Sequence, residues 1–324
     1  MNRRRFLTIG AGAALAVRAG AQTSAGPGRL KIDAYSRHLQ WLRTPDEVAE
    51  AALEMGFDGL DITVRPYPGH VDPARVAQDL PPFVNAVRKH GLQVVAITEN
   101  IVDADSPNAE PILRTASDLG ITNYWWGTFR YEPNIPVMQQ LDALKPRVAK
   151  LAALNARYKM TAMYHNYAGT QVGCAIWDFL YVLKDFDPAL VGFHYDIGHA
   201  TNAGGAGTWA TNLRAAGSYI KGVSVKDSYL EKSPEGGGRG RGGPAGNWRP
   251  HYTPLGQGNV QLAEFLSILR EIKFAGPIEI QAEYPNGGAD NAQDKITLPR
   301  SQVLGAMKKD LDVLRTALRG AGWA

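Results

Sequence analysis

The sequence predicts an α/β fold, a single-domain (β/α)8 TIM barrel. Eight short apolar segments alternate with eight amphipathic helical patterns, and strict βα alternation implies a parallel sheet. No G-x-G-x-x-G follows the first strand, so the signature of an open dinucleotide-binding sheet is missing. The chain has 324 residues, which suits a barrel of about 250 residues with a leader and insertions. Closing the sheet also removes both of its edges.

The elements follow in order. Arg3-Arg4-Arg5 precedes an apolar run to Val17 and the small residues Ala19-Gly20-Ala21. Residues 1–21 therefore read as a twin-arginine signal peptide with an A-x-A cleavage site. The run is too short and too rich in Gly and Ala for a membrane span. The expected mature protein is periplasmic or secreted, with no stable membrane insertion. Residues 22–28 form a flexible lead-in, and the barrel occupies 29–324. Strands are expected at 30–35, 59–64, 94–98, 123–126, 161–165, 191–195, 220–225 and 277–282. Helices are expected at 44–55, 73–90, 109–119, 135–158, 172–184, 208–216, 262–272 and 302–319. Thr44-Pro45-Asp46-Glu47 is an N-cap followed by proline and acids in the first turn. Gly56 and Gly91 stand where a helix C-cap needs left-handed backbone. A glycine-rich insertion at 233–247 interrupts the pattern after the seventh strand. It reads as a disordered insertion or as a mobile lid over the barrel mouth, and Trp248, His251 and Tyr252 follow it within reach of a ligand.

Charge excludes one class of partner. The chain has 35 Lys+Arg and 31 Asp+Glu. Four of the arginines and none of the acids lie in residues 1–21, so the remainder balances to zero and makes no electrostatic case for nucleic acid. The single cysteine, Cys174, excludes an intrachain disulfide.

In this fold the active face lies at the C-terminal ends of the strands. The polar residues expected there are Asp61 and Arg65 with His70 beyond, Glu99, Trp125-Trp126, His165-Asn166, Asp196 with His199, Lys226-Asp227, and Glu283. Adjacent tryptophans on a strand face opposite ways, so at most one of the two lines the bowl; Trp126 is assigned to the substrate. Arg65, His70, Asn166, Asp227 and His251 are the other substrate candidates. His194 is assigned to the helix layer, and His38 and His90 to the surface. Asp196 and Glu283 each end an apolar strand, where a carboxylate needs a pairing partner or a cation. They suggest a divalent metal, or neutralisation by Lys226 and Arg65.

The pieces GFDGLDITVRP, VSVKD, YDIGHA and GPIEIQAEYP, in this order, resemble the xylose-isomerase-like TIM barrels, the sugar phosphate isomerase/epimerase superfamily. The resemblance implies a small carbohydrate substrate and one divalent metal, manganese or similar, held by Glu, Asp, His and Glu from the last four strands. It places the Asp on Asp196, the last Glu on Glu283 and a substrate-contacting histidine on His199. The other two ligand positions fall near Met163 and on Ser224, so His165 would complete an altered site.

The function expected is an isomerase, an epimerase or a lyase that removes a proton next to a sugar carbonyl, for instance on a 3-keto-glycoside. A metal, or Lys226 without one, would polarise the carbonyl; His165 or Glu99 would be the base. The competing reading is a carbohydrate-binding barrel that has lost its metal. A multi-metal endonuclease on the same fold needs more His and Glu ligands than seven scattered histidines supply.

Overall fold

A computed structural model describes residues 29–232 and 248–323. The expected leader, the lead-in and the glycine-rich insertion lie outside the described residues. The eight expected strands all form: β1 (Ile32–Tyr35), β2 (Gly59–Thr63), β3 (Ala96–Thr98), β4 (Asn123–Trp126), β5 (Thr161–His165), β6 (Val191–Asp196), β7 (Ile220–Val225) and, after a hairpin, β10 (Ile278–Ile280). All pair in parallel and close in the order β1-β10-β7-β6-β5-β4-β3-β2.

Helices α1 (Pro45–Met55), α2 (Val76–Lys89), α3 (Ala109–Asp118), α4 (Val137–Tyr158), α5 (Trp177–Leu183), α6 (Ile197–Ala216), α7 (Leu262–Glu271) and α8 (Arg300–Gly320) surround the barrel. Local chemistry sets their ends. Thr44 and Glu47 form a reciprocal capping box before α1, and Gly56 ends it at φ 92°. Among the described residues, no helix is long and apolar enough to cross a membrane.

Two features differ from expectation. Helix α6 starts directly after β6, well before residue 208, because the Asp196 carboxylate caps it by accepting from His199 N–H; Gly205 then kinks it with non-helical torsions. And the chain after β7 doubles back as an antiparallel hairpin, β8 (Asp227–Lys232) with β9 (Trp248–Thr253).

The barrel interior is polar at its floor. Asp33, Asp61 and Glu279 are buried on the neighbouring strands β1, β2 and β10. Asp33 Oδ1 accepts from Gln93 Nε2 at 3.2 Å, while its second oxygen has no partner among the described residues. Gly59 is required beside it, since a Cβ there would stand 2.4 Å from that same Oδ1. Burial pushes the Asp33 carboxyl up to about 7 and Asp61 up to about 6, and lifts Glu279 well above the usual range beside Asp61. The floor is thus a set of carboxyls that burial shifts upward.

A raised carboxyl costs stability only where the unfolded chain ionises and the folded one does not. The penalty is absent below pH 4, grows as pH rises toward 7 and is constant above. Asp33→Asn removes it. Unfolding free energies measured from pH 4 to pH 8 should show the variant gaining on wild type by roughly 2 to 4 kcal/mol across that window. A constant gap would show that Asp33 ionises normally.

Candidate active site

The C-terminal mouth of the barrel holds a cavity of about 570 Å³. Tyr35, Arg65, Trp125, His165, His199, Lys226, Gln281 and Glu283 wall it from the strand ends, and Glu231, Arg249, His251 and Tyr252 roof it from the hairpin.

The centre is Lys226, which follows β7 and is only 2% exposed. Its Nζ donates to His199 Nε2 at 2.9 Å, Gln281 Oε1 at 3.0 Å and Glu283 Oε2 at 2.9 Å. Three N–H groups are thereby matched to three acceptors. Asp196 Oδ2 lies 3.0 Å away as a fourth, ion-paired neighbour outside hydrogen-bonding geometry. Burial works against the charge on Lys226, but Asp196 and Glu283 more than offset it and hold the ammonium well above its ordinary pKa. In return, against the opposing effect of burial, Lys226 holds the Glu283 carboxyl down to about 2.

Local structure delivers each partner. Asn166 clasps the end of β6: its Nδ2 donates to Asp196 O at 3.1 Å, and its Oδ1 accepts from Asp196 N at 2.8 Å. Asp196 Oδ1 accepts from His199 N at 2.8 Å, which leaves Oδ2 toward Lys226. A register shift between Phe193 and His194 breaks the β6–β7 ladder just before these residues.

The two imidazoles differ. His199 Nε2 accepts from Lys226, so this ring carries its proton on Nδ1, a buried donor with no partner among the described residues. His165 Nε2 lies 3.5 Å from Asp196 Oδ2, and its buried Nδ1 has no partner among the described residues. Burial, then the neighbouring positive groups, lowers His199 to about 4 and His165 well below the ordinary histidine value. Both rings are neutral at pH 7.

The structure gathers His165, His199, Lys226, Arg65, His251 and Glu283 around the cavity as expected. Other expected positions are corrected. Trp126 is fully buried against Phe129, Tyr164 and Phe179, and its indole N–H is held by Val102 O. Its neighbour Trp125 lines the cavity, 5.1 Å from the His165 ring and beneath the Arg65 guanidinium. Glu99 does not reach the cavity: one oxygen accepts from Ile101 N–H, and burial raises its carboxyl well above normal. His70 is tied to Thr63 and to the carbonyls of Leu39 and Leu42. The Asp227 carboxylate is consumed by the backbone N–H groups of Ser228, Gly256, Gly258 and Val260. Asn166 acts on Asp196 rather than on the cavity. His194 faces the barrel interior, 3.1 Å from Ser224 Oγ, and His38 is buried against Ala289 O. His90 is half-buried beside Asp46. Sequence reasoning missed Gln281 and Tyr35; a polar Gln two residues before a strand-end Glu was the available signal for the first.

By spacing alone, His165, Asp196 and His199 could hold a metal ion of unspecified identity, since their donor atoms lie within 4.8 Å of one another. Glu283 is outside this group. The set does not fit a divalent ion with Lys226 in place, because the ammonium already takes the His199 nitrogen and lies against the free Asp196 oxygen.

The family described as xylose isomerase-like TIM barrel matches residues 49–315. No curated protein sequence matches the chain. Among solved structures, D-allulose 3-epimerase from Methylomonas sp. is 19% identical with a TM-score of 0.59, over 91% of this chain and 100% of that one. The 3-keto-D-glucoside 4-epimerase of E. coli is 16% identical with a TM-score of 0.61, over 89% and 100%. The IOLI protein with a bound zinc atom is 14% identical with a TM-score of 0.65, over 89% and 99%. At such identities the likeness is one of fold.

The two tryptophans give a direct check. Trp126→Ala should lower the urea unfolding free energy by about 3–5 kcal/mol, as loss of a buried indole does. Trp125→Ala, whose ring borders the cavity, should cost clearly less. Equal losses would place both indoles in the core.

Proposed function

The chain belongs to the xylose isomerase-like TIM barrels, and from that premise we propose that it is a sugar isomerase or epimerase acting by proton transfer next to a carbonyl. One observation carries the reading: a buried ammonium and two neutral imidazoles share one cavity. That is the set needed to form and hold an enediolate. The epimerase names borne by structures of the same fold support it.

The roles follow from the contacts. His165 removes the proton on the carbon beside the carbonyl, while Asp196, 3.5 Å from its Nε2, steadies the imidazolium that results. The positive charge of Lys226 stabilises the negative charge that develops on oxygen. Trp125 and Tyr252 offer aromatic faces to the sugar ring. Arg65, held over Trp125 with one donor on Glu99 O, orients hydroxyl groups. Return of the proton to the neighbouring carbon gives an isomer. Delivery to the same carbon from the opposite face gives an epimer. With a leaving group β to the carbonyl, as in a 3-keto-glycoside, the same enediolate expels it. The pattern at Arg3–Arg5 supports export of this enzyme by the twin-arginine route, so free or glycosidic sugars are the substrates of choice.

The test is solvent exchange. Wild-type protein incubated in D2O with ketoses, aldoses and 3-keto-glycosides should place deuterium next to the carbonyl of at least one, read by NMR. His165→Gln should slow this by about 10²–10⁴-fold. A sugar that binds and never exchanges would sink the catalytic reading and leave a carbohydrate-binding barrel.

A further inference from the structure

Every strand end around Lys226 is fitted to an ammonium. The three hydrogen bonds of its Nζ exhaust its donors. The Gln281 amide is fixed from its other end: its Nε2 donates to Ser224 Oγ at 3.1 Å and to Glu279 Oε1 at 2.6 Å, so its oxygen is the atom left for Lys226. Ser224 is in turn tied to His194 Nε2 at 3.1 Å. A neutral amide and a neutral hydroxyl thus stand on the two strands where a divalent ion would call for charged or imidazole ligands.

The backbone is shaped for the lysine as well. Gly198 lies in the first turn of α6, and a Cβ there would come within 2.6 Å of Lys226 Cγ and 3.2 Å of Lys226 O. The glycine makes the space through which the lysine stem reaches the centre. Tyr252 closes it from the hairpin, its ring 5.5 Å from Nζ.

We propose that the Lys226 ammonium is the resident cation of this site and stands in for the divalent ion that His165, Asp196 and His199 would otherwise bind. The inference rests on taking this cavity as the reactive site. The ammonium binds the pair of carboxylates, Asp196 and Glu283, and occupies His199 Nε2. A dication entering the same cluster would meet strong repulsion at a few ångströms in a buried setting. Expelling the lysine instead would strip a buried charge of all its partners.

The experiment uses the full chain, purified, analysed for metal content, treated with chelator and titrated with Mn²⁺ and Zn²⁺ by calorimetry. Lys226→Met is run beside it, and Lys226→Met with Asp196→Ala reports whether any ion sits at this centre. Wild type should carry no stoichiometric metal and show no uptake at this site. The folded Lys226→Met variant should gain Mn²⁺ or Zn²⁺ binding by about tenfold or more, and lose it again with Asp196→Ala. About one equivalent of metal in wild type, lost in Asp196→Ala, overturns the proposal. So does a folded Lys226→Met variant that binds no ion, since the ammonium would then not be what keeps metal out. If circular dichroism shows that the variant does not fold, the wild-type measurement decides alone. None of these readings involves turnover. A failed substrate screen leaves the metal result standing, and metal in wild type leaves sugar isomerisation standing.

Discussion

The constraint on which the active face depends is the burial of one positive charge. An ammonium with 2% exposure is tolerable only if every donor is matched and carboxylates stand close by. Three neighbouring strands meet that demand. β6 contributes Asp196 and the helix turn that carries His199, β7 leads into the lysine, and β10 leads into Gln281 and Glu283; in the closed barrel β7 lies between the other two. The clasp of Asn166 on Asp196 extends the arrangement to β5, whose last residue is His165. The capping of α6 belongs to the same arrangement. One Asp196 oxygen starts the helix and the other faces the charge, so the strand–helix junction and the electrostatic centre cannot be changed separately.

The same barrel shows what happens to carboxyls without such a cation. Asp33, Asp61 and Glu279 line the floor, where burial dominates and shifts all three upward. Glu283 is also deep in the protein's field, yet Lys226 holds it near 2. The residue types are alike; contact with an ammonium lowers the carboxyl at the rim, while burial raises those on the floor.

Strands and helices were legible because their signals are local. The Thr44 capping box, Gly56 and Gly91 act within a few residues, and eight apolar runs between helices leave few topologies. The convergence of His165, Asp196, His199, Lys226 and Glu283 was legible for a related reason: the fold fixes which end of each strand carries chemistry. What failed was what depends on the phase of a strand or on distant backbone. Alternation says that Trp125 and Trp126 oppose each other but not which of them faces inward. His194 went to the wrong side for the same reason. His70, Asp227 and His38 read as site or surface residues, but each satisfies backbone groups of loops far away in sequence, and nothing near them in the chain encodes that. The hairpin was hidden because the glycine-rich stretch dominates the sequence between its strands.

On the proposed assignment, a lysine at the centre alters which sugars the site can process. An ammonium carries one charge rather than two, so it polarises a carbonyl less than a divalent ion does. The barrier it must help to lower is set by the acidity of the carbon next to the carbonyl. Substrates that already present a ketone ask less of the site than cyclic aldoses, which must first open. Arg65 and the aromatic faces of Trp125 and Tyr252 can then spend their contacts on a ring that stays closed. A closed-ring keto sugar, rather than an aldose, is therefore the substrate that best matches a cavity whose electrophile is built from its own chain.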